Sequence, residues 1–207
     1  MPDFSLEDAA KVEGFAIIAG VDEAGRGPWA GPVVAGAAVL KPGAVPEALL
    51  AQLDDSKKLK AALRADLFAQ LQAISGVHLG IGMASVEEID RHNILEATMM
   101  AMARAVATLP VTPDMALVDG NREPGMPCAV RTVVKGDTLS LSIAAASIAA
   151  KETRDRIMDD LAREHPGYGW ETNAGYGTAQ HQAALVELGV TPHHRRSFKP
   201  IRVLLGG

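Results

Sequence analysis

With 207 residues, of which 48% are apolar and 22% charged, the chain has the composition of a globular protein with a sizeable core, which excludes a disordered or fibrous one. A single cysteine, Cys128, excludes an intrachain disulfide and a thiolate metal cage, and suits a reducing compartment. The net charge of −5 gives no general attraction to polyanions, but Lys57, Lys58 and Lys60 form one basic cluster and His193, His194, Arg195, Arg196 and Lys199 another, and local potential matters more than the sum.

The acidic N-terminus lacks the basic start and long apolar run of a signal peptide, and the run Phe15–Val21 is too short to span a bilayer, so the expected location is the cytoplasm. That run reads as a buried strand. Gly25, Gly27, Pro28, Gly31 and Pro32 interrupt it before a second strand over Val33–Leu40, and the short break predicts antiparallel neighbours. Asp54, Asp55 and Ser56 offer N-caps for a helix over residues 57–73. Val77–Met83 alternates as a third strand. Ser85 with Glu88, and Asn93 with Glu96, have capping-box spacing, which predicts a short helix and then a longer one to Ala107. Met115–Val118 and Ala129–Val134 are short strands. Ser142–Glu164 reads as a long helix whose Ala- and Ser-rich first half lets another backbone approach, and Thr178–Leu188 as a shorter one. The order predicts an α/β fold with a mixed sheet.

Asp22 and Glu23 stand together at the end of an apolar strand, Asp119 closes Met115–Val118, and Asp137 follows Ala129–Val134. Alone, each reads as a solvated turn. Together they point to an all-oxygen site, because strand ends in an open α/β sheet converge on one crevice and Mg²⁺ or Mn²⁺ prefer carboxylate and water. The six histidines show no paired ligand spacing, so His193 and His194 read as part of the basic cluster and not as zinc ligands. The segment Gly25–Arg26–Gly27 is either a turn that requires positive φ or a loop whose backbone approaches a phosphate or ribose. Tyr176, between two glycines, is either a core aromatic or a stacking platform.

The segments Gly20–Pro28 (GVDEAGRGP), Asp55–Leu59 (DSKKL), Leu117–Asn121 (LVDGN), Lys135–Asp137 (KGD), Ser142–Ile148 (SIAAASI) with Ala150–Lys151, Gly175–Thr178 (GYGT) and His194–Phe198 (HRRSF) occur in an order that resembles the ribonuclease HII family over nearly the whole chain. The resemblance implies a ribonuclease-H-like, mixed five-stranded sheet flanked by helices, in one domain over 1–207, with a core near 15–165 and a helical C-terminal extension over 166–207. It implies hydrolysis of the RNA strand of RNA–DNA hybrids, and cleavage 5′ of ribonucleotides embedded in duplex DNA. The products would carry a 3′-hydroxyl and a 5′-phosphate, and the work would be removal of misincorporated ribonucleotides and RNA primers.

The same resemblance assigns two divalent ions, Mg²⁺ or Mn²⁺, to Asp22, Glu23, Asp119 and Asp137. It gives Gly25, Arg26 and Gly27 the 2′-hydroxyl, Tyr176 the neighbouring sugar, and Ser56, Lys57, Lys58, Lys151, Arg195 and Arg196 further substrate contacts. No obligate protein partner is implied, and a monomer is expected. Glu152 departs from the family pattern, which has an apolar residue there, and Thr138 replaces the commoner serine. Another metal nuclease on this fold, a non-catalytic nucleic-acid-binding protein and a small-molecule phosphohydrolase are the alternatives. All-DNA branched substrates, an incomplete carboxylate set and the absence of basic patches would respectively favour them.

Overall fold

The computed structural model describes residues 1–56 and 58–207; the assignment made to Lys57 lies outside them. Five strands, β1 (Ile18–Ala24), β2 (Val33–Leu40), β3 (Val77–Ala84), β4 (Met115–Asp119) and β5 (Ala129–Val133), form one sheet in the order β3-β2-β1-β4-β5. The first three pair antiparallel, while β4 and β5 run parallel to β1. The predicted mixed sheet is therefore present, and β1 and β2 are antiparallel neighbours.

Strand β1 sits three residues later than the apolar run suggests. Asp114 accepts from the backbone N–H groups of Ala16 and Ile17, each at 2.9 Å, and this holds the run's start out of the strand. Pairing with β2 then carries β1 through Asp22 and Glu23 to Ala24.

Helix α4 (Val86–Ala107) covers one face of the sheet, with Ala97, Ala101, Met102 and Ala105 packed on Val21, Ala35 and Val118. Its capping box at Ser85 and Glu88 is formed, and Asn93, at φ 67°, breaks the helix and caps its second part by accepting from Leu95 and Glu96 N–H. Helices α2 (Glu47–Leu50), α3 (Ala61–Ala73) and α5 (Leu141–Glu164) cover the other face. Helix α3 starts later than residues 54–56 suggest, at Ala61, because those capping candidates are engaged elsewhere: Asp54 binds Asp55 N–H and the Lys58 ammonium, and the Ser56 hydroxyl bonds Ser147 at 2.7 Å.

The small-residue face of α5 lies directly on β1. A side-chain carbon on Gly20 would overlap the Ser142 backbone, so glycine is what allows the contact. The unexpected helix α1 (Ser5–Val12) anchors the start of α5: buried Glu7 accepts from the Ser140 hydroxyl at 2.6 Å and from Ser142 N–H at 3.0 Å. Glu152, the departure noted above, is buried on α5 and pairs with Arg64 at 3.5 Å and Arg156 at 3.1 Å, so its charge is compensated. After α5, the short helices α6 (Trp170–Asn173), α7 (Ala179–Leu188) and α8 (Lys199–Leu204) pack Trp170, Leu185 and Ile201 against Met158 of α5 and Ala30 of the β1–β2 loop. No helix among the described residues is long and apolar enough to cross a membrane.

Candidate active site

The parallel register of β1 and β4 places Val21 beside Val118, so the next residue on each strand, Asp22 and Asp119, meet at the same sheet end. With Glu23 they bring carboxylate oxygens within 4.8 Å of one another. Asp22 is buried at 4% exposure. Burial, and then the charges of Glu23 and Asp119, push its carboxyl well above the usual carboxylate range, opposed by bonds from Glu23 N–H and the Ser147 hydroxyl. Asp137, the fourth carboxylate, is buried in the 3-10 turn Gly136–Thr138 and is not within that three-residue group, but Gly136 N–H donates to Asp119 at 2.6 Å and ties the turn to it. Clustered like charges around an electrostatically strained, buried Asp22 fit a hard divalent cation, which relieves the repulsion and takes oxygen ligands.

Beside the carboxylates, a cavity of about 290 Å³ is lined by Glu23, the Gly25–Gly27 loop, Ser56, Lys151, Arg154 and Tyr176 among others. A second recess of about 260 Å³ shares Glu23 and Arg26 and reaches Asp119, Asn121 and Arg122. Gly25 has φ +97°, so the loop does require positive φ. Tyr176 is 48% exposed and its ring lies over Gly27, so it is a surface aromatic beside the loop and not a core residue.

The sequence model of the family described as Ribonuclease HII matches residues 19–201. Ribonuclease HII of Rhodospirillum rubrum is 62% identical over 99% of this chain and 92% of its own, and that of Cereibacter sphaeroides (strain ATCC 17025 / ATH 2.4.3) 60% over 99% and 94%. The chain belongs to the ribonuclease HII family. Ribonuclease H2 from Pyrococcus horikoshii superimposes with a TM-score of 0.79 at 29% identity, covering 91% of this chain and 97% of that one. Bst-RNase HIII in complex with Mn²⁺ shares the fold, with a TM-score of 0.72 at 20% identity over 96% of this chain and 72% of that one. The fold is thus ribonuclease-H-like, and the protein is a ribonuclease H enzyme, a nuclease for the RNA strand of hybrids from a metal-dependent family.

In this ribonuclease HII the second basic cluster is only partly a surface patch: Arg196 and Lys199 are exposed, but His194 and Arg195 are buried, which corrects the reading of Arg195 as a phosphate contact. Arg195 is fully buried, and its guanidinium donates to the carbonyls of Gly25 (2.6 Å), Arg26 (3.0 Å), Gly31 (3.0 Å) and Pro32 (3.2 Å). Arg154 of α5, equally buried, donates to Ala30, Pro32 and Ala174 at 3.0–3.1 Å. Burial lowers Arg195 to about 9 and Arg154 to about 10, so both stay charged at neutral pH. Two guanidiniums therefore brace the glycine loop from beneath.

Of the other expected contacts, Ser56 is buried behind Asp22 through Ser147. Lys58 is exposed and pairs with Asp54, Lys151 pairs with Asp155 beside the cavity, and Arg196 is exposed with its backbone on Asp90. Sequence reasoning gave no site role to Ser147 or Arg154: both lie in a helix whose pattern explains them without a site.

His194 is also buried. Its Nδ1 accepts from Thr191 N–H at 3.0 Å, so its Nε2 faces His181 Nε2 at 3.0 Å as the donor; His181 Nδ1 then donates to the Tyr176 carbonyl at 3.0 Å. This network sets both tautomers as neutral. Burial, followed by the neighbouring His181, lowers His194 to about 4. A histidine with a lowered folded pKa gives stability that is fully present above its unfolded value, near 6.5, and lost as pH falls toward 4. Thermal melts should show a decline over that window, on the order of 3 kcal/mol at most from this group. His194→Gln should be less stable at pH 7 and show a shallower decline. An equally steep decline in that variant would mean other groups dominate.

Proposed function

We propose that the enzyme cuts on the 5′ side of a ribonucleotide, both in RNA–DNA hybrids and where one is embedded in duplex DNA, leaving a 3′-hydroxyl and a 5′-phosphate. The observation that carries this reading is the adjacency of Asp22, Glu23 and Asp119 to a braced Gly25–Gly27 loop with Tyr176 over it. Asp22, Glu23, Asp119 and Asp137 hold Mg²⁺ or Mn²⁺. When bound, two such ions supply Lewis acidity and neutralise charge at the attacking and departing oxygens. Backbone groups of Gly25, Arg26 and Gly27 hydrogen-bond the 2′-hydroxyl, the group by which RNA differs from DNA at one nucleotide, so the cut site is chosen by chemistry with little base preference.

Tyr176 stacks on the adjoining sugar. Lys57, Lys58, Lys151 and Arg196, together with the exposed Arg26 side chain, position the duplex through phosphates. The activity suits removal of misincorporated ribonucleotides and RNA primers by a monomer in the cytoplasm.

Labelled duplex DNA carrying one ribonucleotide, incubated with Mg²⁺ or Mn²⁺, tests this directly. A single cut 5′ of the ribonucleotide is expected; cleavage only in long hybrids, or equal cleavage of all-DNA branched duplexes, would overturn the single-ribonucleotide reading. Tyr176→Phe should keep most activity on this substrate. Tyr176→Ala should lose about ten- to a hundredfold, since one stacking contact is worth about 1–3 kcal/mol. A stable alanine variant that cuts at the wild-type rate would remove the stacking role.

A further inference from the structure

A second group of metal-ligand side chains lies outside the carboxylate cluster. It joins Glu164, the last residue of α5, and His165, the residue after it, to His193 in the loop before buried His194 and Arg195. One ligand atom from each lies within 4.8 Å of the other two. Both histidines are half-buried and Glu164 is exposed, so the site is open to solvent on one side.

The backbone holds these residues in place. His165 N–H donates to Leu161 at 2.9 Å, and the His193 carbonyl accepts from Gly31 N–H at 2.9 Å. The two imidazoles pack at 4.9 Å between centroids, and both stand edge-on to the buried Trp170 ring, at 6.0 and 6.3 Å. Among the described residues, neither imidazole is held by a side-chain hydrogen bond or a closed ion pair, while Glu164 acts on His193 electrostatically. Two rings oriented by packing thus keep nitrogen donors next to a carboxylate that has not closed on them.

We propose that Glu164, His165 and His193 form a second metal site, which takes a transition-metal ion of the zinc type. Donors about 2.0–2.2 Å from a common tetrahedral zinc ion stand about 3.3–3.6 Å apart, so closure onto an ion asks at most about 1.5 Å of relative movement, shared among three side chains. Imidazole suits Zn²⁺, Ni²⁺ and Cu²⁺, whereas Mg²⁺ prefers all-oxygen surroundings. The two sites therefore differ in chemistry, and solvent completes the shell here. Glu87, at the start of α4, acts electrostatically on His193 and adds negative potential. An ion at this position ties the end of α5 to the 191–195 segment, from which Arg195 reaches the glycine loop. Sequence spacing hid the site because His165 and His193 are far apart in the chain.

The test is a calorimetric titration of ZnCl₂ into the full chain in millimolar MgCl₂, which fills the carboxylate cluster, followed by desalting and metal analysis. One equivalent of zinc is expected in wild type and in Asp22→Asn, with a higher melting temperature. His165→Gln and His193→Gln should each weaken zinc binding by at least about tenfold, since loss of even an outer partner of a ligand costs 10–100-fold. Glu164→Gln, at an exposed position, should weaken it too and serves if a histidine variant fails to fold. Zinc affinity unchanged in Glu164→Gln and in every histidine variant that melts cooperatively, absence of binding in wild type, or loss of binding only in Asp22→Asn would each overturn the proposal. None of these outcomes depends on which nucleic acid the enzyme cuts.

Discussion

Asp22→Asn should abolish cleavage while making the metal-free protein more stable. The substitution keeps size and removes the buried charge around which Glu23 and Asp119 gather. Loss of a preorganised electrostatic group at a reacting centre lowers turnover by about 10²–10³-fold, and a ligand lost from the metal cage should reach at least that range. Stability moves the other way. The folded-state pKa of Asp22 is raised, so its ionisation opposes folding at neutral pH, and that penalty is relieved as pH falls from the raised value toward the ordinary carboxylate range of the unfolded chain. In EDTA at pH 7 the variant should melt higher than wild type, by about 2–4 °C for each kcal/mol of repulsion removed, and the gap should narrow on acidification.

Mn²⁺ should stabilise wild type by mass action, about 2.7 kcal/mol at a hundredfold excess over its dissociation constant, and stabilise the variant less. Near-wild-type turnover of Asp22→Asn in saturating Mg²⁺ would take Asp22 out of the site. A lower melting temperature for the metal-free variant would mean that the bonds from Glu23 and Ser147 outweigh the repulsion.

Arg195→Lys should be strongly destabilised although it keeps the charge. The guanidinium satisfies the carbonyls of Gly25, Arg26, Gly31 and Pro32 from one buried position. Its ring-face contact with Phe198, at 5.1 Å, also depends on the planar group. An ammonium is a point donor and cannot span that fork. Each buried carbonyl left unsatisfied costs about 1–3 kcal/mol, so a loss of several kcal/mol is expected, or a fall of roughly 8–16 °C at about 2–4 °C per kcal/mol. Activity should fall with it, because the braced segment is the loop beside the carboxylates. At a temperature where the variant is folded, the rate at an embedded ribonucleotide should drop further than affinity for duplex DNA. If Arg195 were a phosphate contact instead, Arg195→Lys would keep the melting temperature and change mainly the salt dependence of binding. That pattern would overturn the bracing role.

Local chemistry made much of this legible. The capping box at Ser85, the cap at Asn93 and the strand over Val77–Met83 depend on residues within a few positions of one another, and they form as expected, though the second cap lacks the return bond from Glu96 that a full box needs. Short helices such as α1 and α8 carry too few turns for a periodic signal; α1 owes its place to Glu7 meeting Ser140 and Ser142, which lie more than 130 residues away. The carboxylates could be picked out because each stands at the end of an apolar strand. That Asp22 meets Asp119, and that Ser147 stands behind Asp22, follows from the parallel β1–β4 register and from how closely α5 lies on Gly20.

By itself, the sequence determined the family, the strands that carry the acidic residues and the glycine-bounded loop and tyrosine beside them, because these are properties of short ordered segments. Only the tertiary structure decided which charges face solvent. Arg195 and Arg196 are neighbours of the same type, yet the first is buried against four carbonyls and the second is exposed. The same holds for His193 and His194, of which one joins His165 and Glu164 while the other lies in a neutral buried network. Nothing local separates the members of either pair. Their fates are set by the loop at residues 25–32, which is left with carbonyls that no strand partner satisfies and which a buried arginine from the other end of the chain must therefore reach.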